Sequence, residues 1–505
     1  MRNISPSFAA FVTVLVVIFC GLFSLNLLMA DPPVWPDEAL YADSALNIIK
    51  HGQAGTSLAG NLYPYAKEYN FSYPPLFLNS VAEVFRLTNF SIYSQRLFSL
   101  LLSLGVLVGL YLFARELISS EGRWILPLLL IFVSFDYTFS RAAHISRPEI
   151  MVLFFSIPSL LFFEKEFSSG GKRTGTGASS VLAGFFAALA VLTHFIGAFL
   201  PIAEGIFLLL IYRLKIFRVQ KIYVYCATFA LTLLPWVFSI ISHWNIFLLQ
   251  VSASFARKVS DETWLLTAFS TQPTTIKLLY VFYLLTTVIF VIKTFNDKSP
   301  AKTLLSVTLD ASWLVSIVGK QFWYYVFPVP FIYLAAALIV NDLINGWGKM
   351  DQSLRKMWLL IMTPLILIAA GVSLFLQFTL LSTSGDVYYR YNEYSQAILA
   401  GIPAGWSVFM SAIPDPYFAL KTRNSNALYE FPSLSVPRDK YLRLLDKTDY
   451  VVYNGSYEEM VFGNLLNSYL QKNYDTIVKI GQPGGYQALV IKLKPRNLRV
   501  NSVSE

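Results

Sequence analysis

Long apolar runs, separated by short polar breaks, occupy most of this chain. A helix that spans a membrane needs about 20 mostly apolar residues, and runs of this kind recur up to residue 381. The sequence predicts about eleven spans, at approximately 8–30, 94–118, 124–140, 149–163, 179–194, 195–212, 222–242, 275–293, 303–319, 322–341 and 357–381. The pattern therefore predicts a polytopic α-helical membrane protein.

The composition agrees with a chain that is solvated largely by lipid. Only 14% of its 505 residues are charged and 55% are hydrophobic, whereas soluble domains carry roughly 25% charged residues. The formal net charge of +9 would suggest nucleic acid in a soluble protein. Here the cations lie mainly between apolar runs, where they set topology. We therefore expect membrane lipids as partners and no nucleic acid.

The positive charges predict an orientation for the spans. Because cytoplasmic loops are enriched in Lys and Arg, the breaks that carry most of them are predicted to face the cytoplasm of a plasma or inner membrane. The N-terminus is predicted to lie on that side, and an odd number of spans leaves the C-terminal segment outside. The breaks hold Arg123, Lys165, Lys172, Arg173, Arg213, Lys215, Arg218, Lys221, Lys293, Lys298, Lys302, Lys349, Arg355 and Lys356.

The pattern changes after about residue 382. Residues 386–498 lose the long apolar runs and gain Pro, Asn and charge. Their periodicity predicts short strands at 406–411, 450–453 and 487–493 and an amphipathic helix at 458–473. We therefore predict two domains: a transmembrane domain over 1–382, with a first outer loop at 31–93, and a small extracytoplasmic α/β domain over 383–505.

Three polar breaks fall on the predicted outer side. The first contains Asp37 and Glu38, the second reads Arg141-Ala-Ala-His144-Ile-Ser-Arg147-Pro-Glu149, and the third reads Lys320-Gln-Phe-Trp-Tyr-Tyr325. Carboxylates, a histidine and cations that collect at one lipid–water boundary indicate chemistry at that boundary.

The first outer loop is predicted to contain two helices at the membrane interface. One begins at Pro36 and continues to about Lys50, and the other covers about 76–84. The helix dipole favours Asp37 and Glu38 in the first turn, so both could simply stabilise the helix start. Alternatively, one could take a proton from an alcohol, or both could help hold a divalent cation. Lys67, nearby, is either a solvated loop lysine or a point charge for a phosphate.

The ordered set of outer motifs resembles the GT-C type of membrane glycosyltransferase. It is most similar to the bacterial and archaeal branch related to dolichyl-phosphate-mannose protein mannosyltransferases and lipid A aminoarabinose transferases. The motifs are the acidic pair Asp37-Glu38, the Tyr73-Pro74-Pro75 element, Arg147-Pro148-Glu149, and Lys320-x-x-Trp-Tyr-Tyr325. The resemblance implies a GT-C-like transmembrane domain over nearly all of residues 8–380.

The resemblance also implies roles for individual residues. It makes Asp37 the catalytic base, with Glu38 beside it, and Glu149 the second acidic position. It places Lys320, Tyr324 and Tyr325 at the donor phosphate. Relatives carry an Asp where this chain has Glu149, which leaves open whether Glu149 orients groups or binds a metal ion.

The implied reaction is an inverting displacement that moves a sugar from a polyprenyl-phosphate donor to an acceptor hydroxyl. The departing phosphate needs cations, and Arg141 and Arg147 are available together with Lys320 and Lys67. The acceptor is left open among a glycan, a lipid and a protein.

A divalent metal ion is a further candidate. Glu38, Glu149, His144 and His194 fall near the outer ends of spans, but their spacing is not that of a recognisable zinc motif. An interfacial histidine with an ordinary hydrogen bond is the competing interpretation for His144 and for His194.

Two other functions compete with an enzyme. A transporter or flippase of lipid-linked sugars also needs cations for phosphate, but should show polar or broken spans near the midplane in paired halves. No such two-fold repeat is visible here. A non-catalytic scaffold gives no reason for charged residues to collect in three separate outer loops.

Overall fold

The computed structural model describes residues 6–59, 65–168, 177–259, 273–297, 299–319, 322–346, 352–384, 387–423, 427–430, 438–454, 465–481 and 486–499. The chain forms two compact units. Unit 1 comprises Met1–Asn26, Ser99–Phe238 and Glu262–Leu381, and unit 2 comprises Leu27–Phe98, Ser239–Asp261 and Ser382–Glu505. The first outer loop thus belongs to the same unit as the C-terminal segment, a grouping that the sequence did not indicate.

Long helices build unit 1. Four of them, α1, α4, α10 and α15, begin or end in unit 2. The helices are α1 (Pro6–Leu27), α4 (Ile92–Leu117), α5 (Ile125–Phe135), α6 (Tyr137–His144), α7 (Pro148–Phe167), α8 (Ala178–Thr193), α9 (Phe199–Tyr212), α10 (Gln220–Ser242), α12 (Thr274–Asp297), α13 (Pro300–Gly319), α14 (Val329–Gly346) and α15 (Gln352–Ser384). Short 3₁₀ helices at Phe195–Ala198 and Phe322–Val326 precede α9 and α14.

Every predicted span coincides with a helix or a pair of helices. Within the described residues, eight helices are long and apolar enough to cross a membrane, and nine if the bent pair α5 and α6 counts as one span. The predicted span at 149–163 falls on α7, whose ends carry several charges. The predicted span at 179–194 falls on α8, which has 16 residues. The protein is therefore an integral membrane protein with most of its predicted spans in place.

Ion pairs and hydrogen bonds join several helix ends to one another in unit 1. These ends carry the cations that the sequence predicted to face the cytoplasm. The contacts are Lys221 with Glu166, Lys165 with Glu116 at 3.6 Å, Ser119 with Asn341 at 2.8 Å, and Lys293 and Lys302 with Asp342 at 2.8 and 2.7 Å. These pairs link the ends of α4, α7, α12 and α14 to the starts of α10 and α13, so these helix ends lie at the same end of unit 1.

Unit 2 contains the helices of the first outer loop and the C-terminal α/β domain. Both loop helices form where they were predicted, at α2 (Pro36–His51) and α3 (Pro75–Leu87), and α11 (Trp244–Val259) lies in the same unit. Pro36 begins α2 with Asp37 and Glu38 in its first turn, and Gly52 ends it with a φ of 71°. The buried residues of α2 include the polar side chains of Asp43 and Ser44.

A five-stranded mixed sheet forms the centre of the C-terminal domain. Its strands are β1 (Val408–Ser411), β2 (Leu428–Glu430), β3 (Tyr450–Tyr453), β4 (Tyr474–Ile480) and β5 (Ala488–Leu493), in the order β2-β1-β3-β5-β4. β1 is parallel to β2 and β3, while β5 is antiparallel to β3 and β4. The predicted strands correspond to β1, β3 and β5, whereas the sequence missed β2 and β4.

Helices complete this domain. They are α16 (Val387–Gly401), α17 (Tyr417–Thr422), α18 (Arg438–Asp446) and α19 (Leu465–Asn473). The described part of the predicted helix 458–473 is α19. Leu445, Leu466 and Leu470 pack into one apolar core with strand residues, and Ala59 and Ala66 of the first outer loop belong to the same core.

Candidate functional site

A bend between α5 and α6 precedes the residues of the second polar break. Helices α5 and α6 meet at an angle of 63°, and Asp136 at the bend accepts hydrogen bonds from the backbone N–H groups of Thr138 and Phe139 at 2.9 and 3.0 Å. After α6 ends at His144, the chain runs extended through Arg147 and starts α7 at Pro148. The short extended link places the end of α6 beside the start of α7.

Arg141 and Arg147 both lie against the indole of Trp323. The guanidinium carbon of Arg147 is 4.9 Å from the centre of the ring, and that of Arg141 is 5.4 Å from it. Such contacts are attractive because a cation interacts with the negative face of the ring. Arg147 also pairs with Glu149, with Nη2–Oε1 at 3.0 Å and both side chains buried. We call Arg141, Arg147, Glu149 and Trp323 the arginine–tryptophan cluster.

The cluster has the character of an anion site. The cluster itself contains two guanidinium groups and one carboxylate, with Arg147 and Glu149 buried and Arg141 partly buried. Arginine presents several N–H donors in a planar fork that matches the oxygens of a phosphate. An anionic headgroup is therefore the ligand class that this cluster suits.

The third polar break contributes Tyr324 and Tyr325 to unit 1. The ring of Tyr324 lies 6.0 Å from that of His194, and the hydroxyl of Ser316 donates to the backbone oxygen of Tyr324 at 2.7 Å. Gly319 makes this packing possible, because a Cβ there would lie 2.2 Å from the Tyr324 ring. Tyr325 instead packs on Tyr280, with ring centres 5.1 Å apart.

Lys320 lies outside the described residues, so its predicted phosphate contact stays a prediction. Lys67 lies in an exposed turn of unit 2, and its predicted role likewise stays a prediction. His144 is buried at the end of α6. His194, also buried, caps the 3₁₀ helix that follows α8, accepting from the Ile196 N–H at 3.1 Å.

In unit 2, Asp37 and Glu38 have different surroundings although they are neighbours in sequence. Glu38 is fully buried in a two-point ion pair with Arg96, at 2.9 and 2.7 Å. The Glu38 carboxylate also accepts from the Trp35 N–H at 3.0 Å. Asp37 is only partly buried. Of the acidic pair, Asp37 therefore has the exposure that a base for a substrate hydroxyl needs, while Glu38 holds the start of α2.

A second buried carboxylate on α2 was not among the predicted residues. Asp43 accepts hydrogen bonds from the Ser57 N–H at 2.6 Å and from the Thr56 hydroxyl at 2.9 Å. The Tyr417 hydroxyl and the Lys421 ammonium donate to its other oxygen, each at 2.8 Å. Burial by itself would raise the pKa of Asp43, but the charge of Lys421 and these hydrogen bonds outweigh it and hold the pKa below its usual range.

Asp415 and Glu430 form a buried carboxyl pair in the same unit. Burial raises the pKa of Asp415 to about 6, and burial and the charge of Asp415 raise the pKa of Glu430 well above its ordinary value. Both oxygens of Glu430 are buried, and neither has a hydrogen-bond partner among the described residues.

The described residues do not fit the predicted metal site. Within the described part of the chain, no group of three or more His, Cys, Asp or Glu side chains is arranged to hold a metal ion. The carboxylates of Glu38 and Glu149 are instead paired with Arg96 and Arg147. A divalent cation thus stays a prediction, and no step below uses one.

Sequence reasoning missed several functional candidates for identifiable reasons. Trp323 lies inside a motif that the sequence singled out, but its position against both arginines depends on the fold. Arg96 offered a signal, since a cation at the start of an apolar run needs a partner. Asp43, Asp415 and Glu430 gave none, because each looks like an ordinary polar residue of a helix, loop or strand.

Comparisons with known proteins support the predicted resemblance. A sequence model described as dolichyl-phosphate-mannose-protein mannosyltransferase matches residues 72–239. An uncharacterized protein of Aquifex aeolicus (strain VF5) is 30% identical over 136 residues, which are 27% of this chain and 26% of that protein. The match therefore spans about a quarter of that relative's length.

Solved structures with similar folds cover nearly the whole chain. ArnT from Cupriavidus metallidurans, bound to undecaprenyl phosphate, has a TM-score of 0.57 at 13% identity, covering 96% of this chain and 98% of ArnT. The oligosaccharyltransferase AglB from Archaeoglobus fulgidus, in complex with an inhibitory peptide and a dolichol-phosphate, has a TM-score of 0.56 at 13% identity, covering 97% of this chain and 75% of AglB. The Archaeoglobus fulgidus oligosaccharyltransferase in complex with Zn and sulfate has a TM-score of 0.58 at 14% identity, covering 94% of this chain and 72% of that enzyme.

These similarities confirm the predicted fold class, a GT-C-like helical membrane domain with a small C-terminal α/β domain. The matched family description names a mannosyltransferase, which favours the glycosyltransferase interpretation over the transporter.

Proposed function

We propose that this protein is an inverting glycosyltransferase that moves a sugar from a polyprenyl-phosphate donor to an acceptor hydroxyl on the extracytoplasmic face of the membrane. The observation that carries the proposal is the arginine–tryptophan cluster, in which two guanidinium groups share the face of Trp323 beside a paired carboxylate. Undecaprenyl phosphate and dolichol-phosphate in the similar structures support a lipid phosphate as the ligand.

In the proposed reaction, Arg141 and Arg147 hold the donor phosphate. As the bond between the anomeric carbon and the phosphate oxygen breaks, both electrons leave with the lipid phosphate, and the guanidinium groups stabilise the charge that develops. Glu149 orients Arg147 through their ion pair. Tyr324 and His194 are proposed to line the same end of unit 1.

Asp37 is proposed to act as the general base. Its carboxylate takes the proton of the acceptor hydroxyl, whose oxygen attacks the anomeric carbon from the side opposite the phosphate. Inversion needs no second carboxylate as a nucleophile, so Glu38 and Glu149 keep their structural ion pairs throughout. A general base typically contributes about 10²–10⁴-fold to the rate, and loss of Asp37 should cost a factor in that range.

The proposed orientation follows from the positive charges. The helix ends that carry Lys165, Lys221, Lys293 and Lys302 face the cytoplasm by the positive-inside rule, which puts the N-terminus there. The arginine–tryptophan cluster then faces outward, as does the C-terminal domain. A glycan, a lipid or a protein can supply the acceptor hydroxyl.

The test is transfer in membranes of a deletion strain complemented with each variant. Undecaprenyl phosphate carrying one of several ¹⁴C-labelled sugars is supplied, and the sugar that the wild type transfers is then used throughout. Asp37→Asn should lower the rate of transfer by about 10²–10⁴-fold but retain the donor. Arg141→Gln should weaken retention of labelled undecaprenyl phosphate between about tenfold and a hundredfold, the value of one or two charged hydrogen bonds.

Two variants serve as matched controls. Glu83→Gln changes an exposed carboxylate of α3 in the first outer loop, and Arg115→Gln changes an exposed arginine of α4. Both should leave transfer and donor retention unchanged. Undiminished transfer in Asp37→Asn contradicts the proposal. A wild type that transfers none of the sugars, together with a deletion strain whose envelope glycans are unchanged by mass spectrometry, also contradicts it.

A further inference from the structure

The helix that carries Asp37 also carries a buried side chain, Asp43, that the C-terminal domain binds. Asp43 lies six residues beyond Asp37 on α2 and is fully buried. Two of its donors, Tyr417 and Lys421, come from α17 of the C-terminal domain, each at 2.8 Å. With 3.6 residues per turn, Asp37 and Asp43 project from different sides of the helix, so this contact holds α2 from a side that Asp37 does not use.

Backbone hydrogen bonds reinforce the same attachment. The Asp415 N–H donates to the oxygen of Val34, three residues before Asp37, at 2.9 Å, and the Glu430 N–H donates to the oxygen of Leu58 at 3.0 Å. Asp415 also accepts from the Tyr417 N–H at 2.7 Å, which orients the start of α17. The segments on both sides of α2 are therefore tied to the C-terminal domain.

Apolar packing makes the attachment rigid. Ala59 and Ala66, from the loop that follows α2, lie in the same core as Phe409, Val451 and Ile491 of the sheet. Residues that share one close-packed core do not move independently. Asp43 itself is fully engaged with its donors and fully buried, so it serves as an anchor and not as a base.

We propose that Tyr417 and Lys421 are positioning residues of the transfer reaction, which fix the placement of Asp37 by holding Asp43 on the same helix. The C-terminal domain then contributes to catalysis by holding the helix that carries the base. This inference rests on the proposed role of Asp37 as the base. A base acts only within hydrogen-bond reach of its proton, and a misplacement of about 1 Å can cost about 10²-fold in rate.

The decisive variants remove the anchor without touching Asp37. Lys421→Met removes the charge that pairs with Asp43, and Tyr417→Phe removes one hydrogen bond. Both should lower kcat, by about tenfold to a hundredfold for Lys421→Met, while the KM for the labelled donor stays within about twofold of the wild type. Lys421→Arg, which keeps the charge, should recover most of kcat.

A matched control lies in the same domain. Lys492 pairs with Asp475 at 3.4 Å, but both side chains are more than 40% exposed. Lys492→Met should therefore change neither kcat nor KM, because an exposed ion pair of this kind contributes little. Hydrogen exchange of the peptide over α2 provides a second readout, and should become faster in Lys421→Met than in Lys492→Met.

A folding defect is separated from a positioning defect by a double variant. Lys421→Met leaves Asp43 as a buried charge without its cation, whereas Asp43→Asn with Lys421→Met removes both charges. If the double variant regains the wild-type melting temperature but not kcat, the positioning role is supported. Recovery of kcat together with stability, or unchanged kcat in Lys421→Met, overturns it. Asp37→Asn is measured in the same assay. If Asp37→Asn is inactive while Lys421→Met keeps its kcat, the positioning role fails and the proposed function stands; if Asp37→Asn is active, the proposed function itself fails.

Discussion

The Asp415–Glu430 pair makes unit 2 less stable as the pH rises. Burial raises the pKa of Asp415 from 3.8 to about 6, so between these values the folded protein binds a proton that the unfolded chain has released. The contribution of this pair to the free energy of unfolding is therefore highest below about pH 4 and falls as the pH rises through about 6. The shift of Asp415 corresponds to roughly 3 kcal/mol. Glu430, whose pKa is also raised, extends the decline to higher pH.

Asp415→Asn should remove this decline. The amide keeps an oxygen for the Tyr417 N–H, now 2.7 Å from Asp415, and it removes the buried carboxyl whose pKa is raised. We expect the variant to be more stable than the wild type at pH 7.5 by up to about 3 kcal/mol. At pH 4 the two should be equal. For a unit of this size, such a gain raises the melting temperature by roughly 6–12 °C at most.

The measurement is thermal unfolding of the purified protein in detergent, followed by fluorescence from pH 4 to 8.5. Asp439→Asn is the control, because Asp439 is an exposed carboxylate of α18 in the same domain, and its pH profile should match that of the wild type. A melting-temperature difference between Asp415→Asn and the wild type that stays constant from pH 4 to 7 would refute the reasoning. So would an Asp415→Asn variant that is destabilised equally at both ends of the range.

Two further changes test the packing around the proposed catalytic groups. Arg96→Met should destabilise the protein by about 3–5 kcal/mol, because it leaves the buried Glu38 carboxylate without its partner, and adding Glu38→Gln should recover most of the loss. Arg86→Met, at an exposed pair on α3, should cost no more than about 1 kcal/mol, and all three variants are compared by melting temperature in detergent. Gly319→Ala should displace the Tyr324 ring, since the added Cβ would lie 2.2 Å from it. Retention of labelled undecaprenyl phosphate should then fall, and unchanged retention would remove Tyr324 from the proposed site.

Features set by local sequence were predicted well. Apolar runs of sufficient length gave the positions of the helices, and Pro36 followed by two carboxylates gave the start of α2. Strands β1, β3 and β5 were recognised because their alternating or continuous apolar residues are buried. β4 was missed because its residues are mostly exposed, so burial left no pattern in its sequence. β2 has only three residues, too few for periodicity to register.

The candidate site was predicted only in part. Arg141, Arg147 and Glu149 lie close together in sequence, so any fold that keeps α6 and α7 adjacent brings them together. The residue pattern alone did not say which of Asp37 and Glu38 could act as a base, and only the resemblance named Asp37. The structure gives the two different surroundings, since Glu38 is fully buried against Arg96 and Asp37 is partly exposed. How far a carboxylate is exposed depends on its three-dimensional neighbours.

The sequence by itself determined that this chain crosses a membrane, where its helices run and which breaks collect charge, because hydrophobic length and periodicity are properties of consecutive residues. Only the tertiary structure decided which charges neutralise each other. Asp43 and Lys421 are 378 positions apart in the chain and meet at hydrogen-bond distance. The cost of burying a charge is offset only by a partner at close range, and the fold, not the order of residues, sets that distance.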